Sequence, residues 1–225
     1  MTTVTRAPSD ARDLVRRLSE LRTDRPAGNA LLDRVREGTL SDIHLKRLVA
    51  MEYTAQRTEL TCFGALIARF PFTPAADFYT WLAQLVSAAR PALLTAARAL
   101  GLSEPDMRRW PDEPAAYAFA DTLSWISLNG SLTASALAVH SDVTVYFPAC
   151  ADLTEAASDA GVALPESLTG LYTTAPPGDL TQLAVAVAQR GLDRGDDPEE
   201  AVCHAWRLEE SLERFWQAAA DAPAR

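Results

Sequence analysis

The sequence lacks the features that mark several large classes of protein. Charged residues interrupt its apolar runs too soon for any run to span a bilayer, so no membrane segment is predicted. The opening residues, MTTVTRAPSD, contain no apolar core segment and no small-residue cleavage site, which predicts a cytoplasmic protein without a secretory signal. The chain has a formal net charge of −9 and no extended cluster of Lys and Arg, so we expect no nucleic-acid partner.

Cysteine and histidine are also scarce. The cysteines are odd in number, widely spaced and form no CxxC pair, as is typical of a reduced intracellular protein; they are Cys62, Cys150 and Cys203. The three histidines are His44, His140 and His204. Sites that need many imidazole ligands are therefore hard to build from this chain.

What the sequence does contain is a series of helical patterns. Ser41 is placed to cap a helix whose apolar residues follow helical spacing as far as Pro71. A second long helix is expected from Pro74 to Gly101 with a kink at Pro91, and Pro198 begins a final helix. No linker divides the chain, and the short β-branched patch at 145–147 is too small for a sheet. The prediction is one all-α domain over residues 1–225.

The segment from Ala115 to about Tyr146 contains few residues that titrate, which predicts a helix buried on several sides and interrupted at Gly130. Pro148 is expected to break this helix, with a short helix following over 149–160. Residues 161–178 are rich in Gly and Pro and are expected to form a loop.

Three segments resemble landmarks of the TenA (thiaminase II) family. GTLSDIHLKRLVAMEYTAQ resembles its Gly-Thr-Leu turn and following helix, with Glu52 and Tyr53 at the acid–tyrosine pair. RALGLSEPDMRRWPDEPAAYAFADTL resembles its leucine-glycine turn, loop and Ala-Tyr helix start, and LERFWQAA resembles its closing Glu-x-x-Phe-Trp signature. The resemblance implies a haem-oxygenase-like helical bundle with a central ligand cavity, and a homodimer.

Thiaminase activity is not expected, because the residues that it needs are missing in this comparison. The family uses a cysteine nucleophile activated by a carboxylate. Counting along the helix places His140 at the cysteine position, whereas an alternative register with an insertion would place Cys150 there. The family's acid on the last helix is replaced by Leu212.

Other activities of the same superfamily fit less well. Haem binding is disfavoured because no histidine precedes His44, and three histidines cannot reproduce the site of pyrroloquinoline-quinone synthase. A non-haem iron oxygenase needs about six ligands from several helices. An iron oxygenase remains an alternative only with a reduced set of metal ligands, Glu52, Glu59, His140 and His204. We expect no cofactor.

The leading hypothesis is a biosynthetic enzyme, for example in antibiotic biosynthesis, that acts on a small aromatic or apolar metabolite. Glu52 and His140 are its candidate acid and base. The candidate substrate contacts are Tyr53, Glu59, Tyr117, Trp125, Tyr146 and Glu209. A non-catalytic ligand-binding or regulatory protein on the same fold is the alternative.

Overall fold

The computed structural model describes residues 10–221; residues 1–9, on which the absence of a secretory signal was predicted, lie outside this range. The described chain contains helices and no strand, which confirms the all-α prediction. The helices are α1 (Ala11–Asp24), α2 (Ala30–Arg36), α3 (Asp42–Arg69), α4 (Ala75–Ala99), α5 (Glu104–Met107), a 3-10 turn (Pro114–Tyr117), α6 (Ala118–Asn129), α7 (Leu132–Asp159), α8 (Glu166–Thr173), α9 (Leu180–Leu192) and α10 (Pro198–Ala220). None of the helices in this range is long and apolar enough to cross a membrane.

The ends of the helices follow from local sequence. Ser41 precedes α3 in a capping box in which the Ser41 backbone N–H donates to His44 Nδ1 at 3.0 Å. Asp197 precedes Pro198, the first residue of α10, and its side chain accepts from the Glu199 backbone N–H. These signals place the long helices close to where the sequence predicts them.

The four longest helices, α3, α4, α7 and α10, form the frame of the bundle. α3 packs most extensively on α4, and α7 packs most extensively on α10. One group of buried apolar side chains gathers around α2, α3, α6 and the second half of α10, and another gathers around α1, α9 and the first half of α7. This arrangement leaves α3 and α7 on opposite sides of an internal space.

The predicted break at Gly130 is present: the backbone leaves the helical conformation there, and the close approach of the chain requires glycine. A Cβ atom at Gly130 would lie 2.8 Å from the backbone oxygen of Ile126. Beyond it, the Ser131 side chain caps α7 by accepting from the Ala134 backbone N–H. Arg69, the last residue of α3, donates to the backbone oxygens of Ser127 at 2.5 Å and Gly130 at 2.7 Å, which satisfies carbonyl groups at the end of α6.

Two expectations about the chain after Gly130 are wrong. α7 continues through Pro148 as far as Asp159. Pro148 is exposed, so water can replace the backbone donor that it lacks. The region 161–178 is not all loop, because it contains α8, which packs on α4 and α7. Tertiary packing thus stabilises a short helix that the Gly and Pro content conceals.

Candidate functional site

The bundle encloses a cavity of about 550 Å³, a size typical of small-molecule sites. Its walls come from α3, α4, α6, α7, α8, α10 and the segment that follows α8. Most of the lining is apolar or aromatic. The residues that line it are Glu52, Ala55, Gln56, Glu59, Leu85, Val86, Ala88, Ala89, Ala92, Phe119, Asp142, Tyr146, Phe147, Cys150, Ser167, Gly170, Leu171, Tyr172, Thr174, Ala175, Pro176, Pro177, Leu212 and Phe215.

Two helices bring the polar groups to this cavity. Glu52, Gln56 and Glu59 are spaced by four and three residues, so they share one face of α3. Asp142, Tyr146 and Cys150 are each separated by four residues, so they share one face of α7. The two polar faces meet across the cavity.

Glu52 is held by two tyrosines. Its Oε1 atom accepts a hydrogen bond from the Tyr146 hydroxyl at 2.5 Å and another from the Tyr172 hydroxyl at 2.8 Å. The Tyr146 ring stacks on Trp216 with centroids 5.8 Å apart, which fixes the hydroxyl in place. Burial raises the pKa of Glu52, and the two hydroxyl donors offset part of that increase.

Glu59 and Asp142 form a second acidic group in the same cavity. Burial raises the pKa of Asp142 to about 7, and the negative charge of Glu52 adds to the effect. Burial also raises the pKa of Glu59 well above its ordinary value, with further contributions from Asp142 and Glu52. Like charges in a poorly solvated space favour the protonated forms. Each of the three carboxyl groups therefore has a pKa above its ordinary value.

Cys150 also lines the cavity, but it is not an activated nucleophile. Its side chain is buried and forms no disulfide. Burial raises the pKa of the Cys150 thiol well above its ordinary value, and the neighbouring Glu52 carboxyl raises it further. The thiol is therefore protonated at neutral pH, whereas nucleophilic cysteines need a lowered pKa. The alternative register of the TenA comparison places Cys150 at the cysteine position, and Cys150 lines the cavity.

His140, the predicted partner of Glu52, does not line the cavity. It lies two residues before Asp142, and two residues correspond to roughly 200° around a helix. It therefore faces away from the cavity, towards Arg22. Burial, with the Arg22 charge, lowers the pKa of His140 to about 4, and its Nδ1 atom has no hydrogen-bond partner among the residues that the structure describes. The structure does not bring Glu52 and His140 together.

The predicted substrate contacts divide into two groups. Glu59 and Tyr146 line the cavity, whereas Tyr53, Tyr117, Trp125 and Glu209 do not. The Tyr53 hydroxyl points to Glu104 and Arg108, and Tyr117 packs against the core at the start of α6. Trp125 is 44% exposed. Glu209 is buried in an ion pair with Arg22, with Nη2 and Oε1 separated by 2.7 Å.

The reduced iron ligand set is not assembled either. Of its four members only Glu52 and Glu59 reach the cavity. His204 lies elsewhere, where its Nε2 is 3.3 Å from Glu200 Oε1 and its ring packs on Trp125. Within residues 10–221, no group of three or more His, Cys, Asp or Glu side chains is arranged to hold a metal ion.

The cavity residues that the sequence candidates do not include are mostly apolar, but they also include Tyr172, Asp142 and Gln56. The Gly and Pro content of 161–178 conceals α8 and with it Tyr172. Asp142 is a rare charged residue of its helix, but the sequence alone does not show which side of that helix lines the site. Gln56 follows Glu52 by one turn of α3, a spacing that would have indicated it.

Comparison with known proteins identifies the fold. No protein-family model matches the chain, and no curated protein matches its sequence. A TenA homologue from Pyrococcus furiosus superposes with a TM-score of 0.67 at 16% identity, over 92% of this chain and 99% of that chain. A TenA homologue from P. horikoshii OT3 superposes with a TM-score of 0.68 at 15% identity, over 94% of this chain and 99% of that chain. The chain therefore has the TenA-like, haem-oxygenase-like fold that its sequence landmarks predict.

Proposed function

We propose that the protein is an enzyme that binds a small, mostly apolar or aromatic molecule in this cavity and acts on it by general acid–base chemistry. The observation that carries the proposal is the placement of Glu52, a carboxyl group 5% exposed, in a cavity of about 550 Å³ with Oε1 fixed by two tyrosine hydroxyls. Buried carboxyl groups in ligand-sized cavities are frequent acid–base catalysts.

The two carboxyl oxygens of Glu52 have different roles in this proposal. Oε1 accepts both tyrosine hydrogen bonds. Oε2 receives no hydrogen bond from residues 10–221 and is the atom that can exchange a proton with a ligand. Because burial raises the pKa of Glu52 towards neutrality, the group can both take and return a proton. Tyr146 and Tyr172 are positioning residues in this scheme.

The proposal excludes thiaminase-type nucleophilic chemistry for a physical reason. The Cys150 thiol has a raised pKa, and no Lys, Arg or His in the described part of the chain lines the cavity to stabilise a thiolate. On α10, the side chains that line the cavity are Leu212 and Phe215, and Leu212 stands where TenA proteins are expected to carry an acid. His140 has no part in the proposed chemistry.

A non-catalytic binding protein is the second candidate, and the same lining favours it. A largely apolar cavity with a protonated thiol also suits a protein that holds a ligand without changing it. The two candidates differ in turnover. A catalyst releases a new product, whereas a binding protein is only stabilised by its ligand.

The test is turnover by three proteins: the wild type, Glu52→Gln and Glu155→Gln. Each is incubated with a set of small aromatic and alicyclic metabolites, and products are detected by mass spectrometry. Glu52→Gln preserves the acceptor for both tyrosines but removes the ionisable group, so we expect turnover to fall by about 10²–10⁴-fold, the usual contribution of general acid–base catalysis. Glu155 is exposed on α7, so its variant should match the wild type.

The outcomes separate the hypotheses. Equal turnover by the wild type and Glu52→Gln would contradict the assignment of Glu52. Thermal stabilisation by a metabolite without any product would favour the binding protein.

The proposal also includes a cytoplasmic location, a homodimer in solution and a role in secondary-metabolite biosynthesis such as that of antibiotics. Light scattering coupled to size-exclusion chromatography measures the oligomeric state, and the neighbouring genes indicate the pathway.

A further inference from the structure

Among residues 10–221, the charged residues that line the cavity are all acidic. Three carboxyl groups line it, on Glu52, Glu59 and Asp142, and no Lys, Arg or His of this range does. α4, α6 and α10 contribute only apolar side chains to the wall, and α8 contributes Tyr172 as its only titratable group. The remaining titratable groups are Tyr146 and Cys150 of α7. No protein cation therefore neutralises the carboxyl groups inside the cavity.

Two of the carboxyl groups also lack hydrogen-bond donors. Glu52 accepts from Tyr146 and Tyr172, but no hydrogen bond or ion pair within residues 10–221 reaches the carboxyl group of Glu59 or Asp142. Both residues are half-buried, and a partly desolvated carboxyl group without a hydrogen-bond donor or a cation is disfavoured in its ionised form. A hydrogen-bond donor on the ligand would supply the missing partner of both carboxyl groups.

Gln56 gives an independent indication of the same kind. This residue lies between Glu52 and Glu59 on the cavity face of α3 and is 7% exposed. Its Oε1 atom is buried and has no hydrogen-bond partner among the described residues. An amide oxygen accepts hydrogen bonds and does not donate them. The unfilled positions on this wall are therefore acceptors, on Gln56 and, in their ionised forms, on Glu59 and Asp142.

The rest of the lining has a different character. Leu85, Val86, Phe119, Pro176 and Phe215 give it apolar and aromatic surface. The cavity thus combines acidic groups on α3 and α7 with apolar surface from the other elements, which complements a molecule that has both a polar group and an apolar body.

We propose that the ligand of this cavity is a protonated amine with an aromatic or other apolar body, whose ammonium N–H groups donate to Glu59, Asp142 and Gln56. The inference rests on the proposed function only in placing the working site in this cavity. It specifies an amine with N–H donors, because three acceptors without partners require three donors from the ligand.

Binding of such an amine is coupled to proton release. The amine stays protonated below its own pKa, near 10, while the pKa of Asp142 is about 7. The cation favours the ionised carboxyl groups, so protons held by Asp142 and Glu59 leave as it binds. Affinity therefore increases between pH 6 and pH 8.

The test is isothermal titration calorimetry of the full chain with ω-phenylalkylamines of increasing chain length. Each amine is compared with the matching phenylalkyl alcohol and with the matching trimethylammonium compound, which has the charge but no N–H donor. Asp142→Asn is the site variant, and Asp152→Asn, at an exposed position of the same helix, is its matched control. Glu59→Gln serves as a second site variant should Asp142→Asn fail to fold.

We expect the best amine to bind at least about tenfold more tightly than its alcohol, the effect of one charge-assisted hydrogen bond. This advantage should disappear in Asp142→Asn and persist in Asp152→Asn. Proton release, measured from the heat in buffers of different ionisation enthalpy, should accompany amine binding to the wild type.

Three results would overturn the proposal: equal affinity for amine and alcohol, equal or tighter binding of the trimethylammonium compound, or no binding of any amine. A cavity-filling variant, Ala92→Phe, distinguishes this failure from failure of the proposed function. If alcohols bind as well as amines and Ala92→Phe abolishes both, the cavity is a binding site but the charge assignment is wrong. If ligands bind Ala92→Phe as tightly as the wild type, the site itself is wrong.

Discussion

At the scale of single residues, the protein keeps three carboxyl groups in a space where ionisation is unfavourable. Glu52 is compensated by the hydroxyls of Tyr146 and Tyr172, whereas Glu59 and Asp142 have no such donors. The folded protein therefore bears an electrostatic cost when these groups ionise. Such a cost is typical of functional sites, where it is recovered upon ligand binding.

This cost predicts a pH-dependent gain in stability for Asp142→Asn. The Asp142 carboxyl keeps its proton up to a pKa of about 7 in the folded protein, against 3.8 for an unperturbed aspartate. The unfolded chain loses this proton first, so the contribution of Asp142 to stability falls as pH rises through that range and is constant above it. Each pKa unit corresponds to about 1.4 kcal/mol, so the variant should gain a few kcal/mol at pH 8 and little at pH 4.

Urea unfolding of the wild type, Asp142→Asn and Asp152→Asn at both pH values measures this effect. The exposed Asp152 should give no pH-dependent difference. A difference between Asp142→Asn and the wild type that is the same at pH 4 and pH 8 would show that Asp142 ionises normally.

At the scale of helices, the sequence predicts where a helix begins and ends better than it predicts which side of the helix faces the cavity. Ser41, Pro71 and Pro198 indicate the ends of α3 and the start of α10 because capping and loss of a backbone donor are local effects. Pro148 shows the limit of this reasoning. Its local effect predicts a break, yet the packing of α7 on α9 and α10 keeps the helix continuous.

The face of α7 that lines the cavity could not be predicted, for a related reason. This helix is apolar on almost all sides, so periodicity does not indicate which side faces the ligand. His140, which the sequence indicates as a site residue, lies two residues before Asp142. Only Asp142 lines the cavity. On α3, the resemblance to the TenA acid–tyrosine pair indicates Glu52, and Glu59 lies seven residues later on the same face of the helix.

The packing of α7 on α9 gives a prediction at this scale. Gly191 of α9 has no space for a side chain, because a Cβ atom there would overlap Thr133 Oγ1 and Asp196 Oδ2. The same two residues are joined by hydrogen bonds from the Thr133 N–H and hydroxyl to Asp196 Oδ2, each of 2.9 Å. Gly191→Ala should therefore destabilise the protein by about 1–3 kcal/mol, as is usual for overpacking.

The matched control for this variant is Gly64→Ala. Gly64 lies in the middle of α3 with nothing within 4 Å of an added Cβ atom. Alanine is a better helix former than glycine by about 1 kcal/mol, so this substitution should stabilise the protein. Thermal or urea unfolding compares the two variants. Equal effects of both substitutions would mean that α9 does not approach α7 as closely as described.

At the scale of the whole molecule, the cavity occupies space that packed side chains fill in an ordinary helical core. α3 and α7 make few direct contacts, and the space between them is bounded by α4, α8 and α10. A cavity of about 550 Å³ leaves its lining without many of the contacts that a packed core provides. A ligand that fills this space should therefore stabilise the entire fold.

The most direct test is the change in melting temperature that metabolites cause in the wild type and in Ala92→Phe, whose added ring projects into the cavity. A ligand at a hundredfold excess over its Kd contributes about 2.7 kcal/mol, which corresponds to roughly 5–10 °C for a chain of this length. We expect such ligands to raise the melting temperature of the wild type and to leave that of Ala92→Phe unchanged. The same increase in both proteins would show that ligands bind elsewhere and would contradict the assignment of the cavity as the functional site.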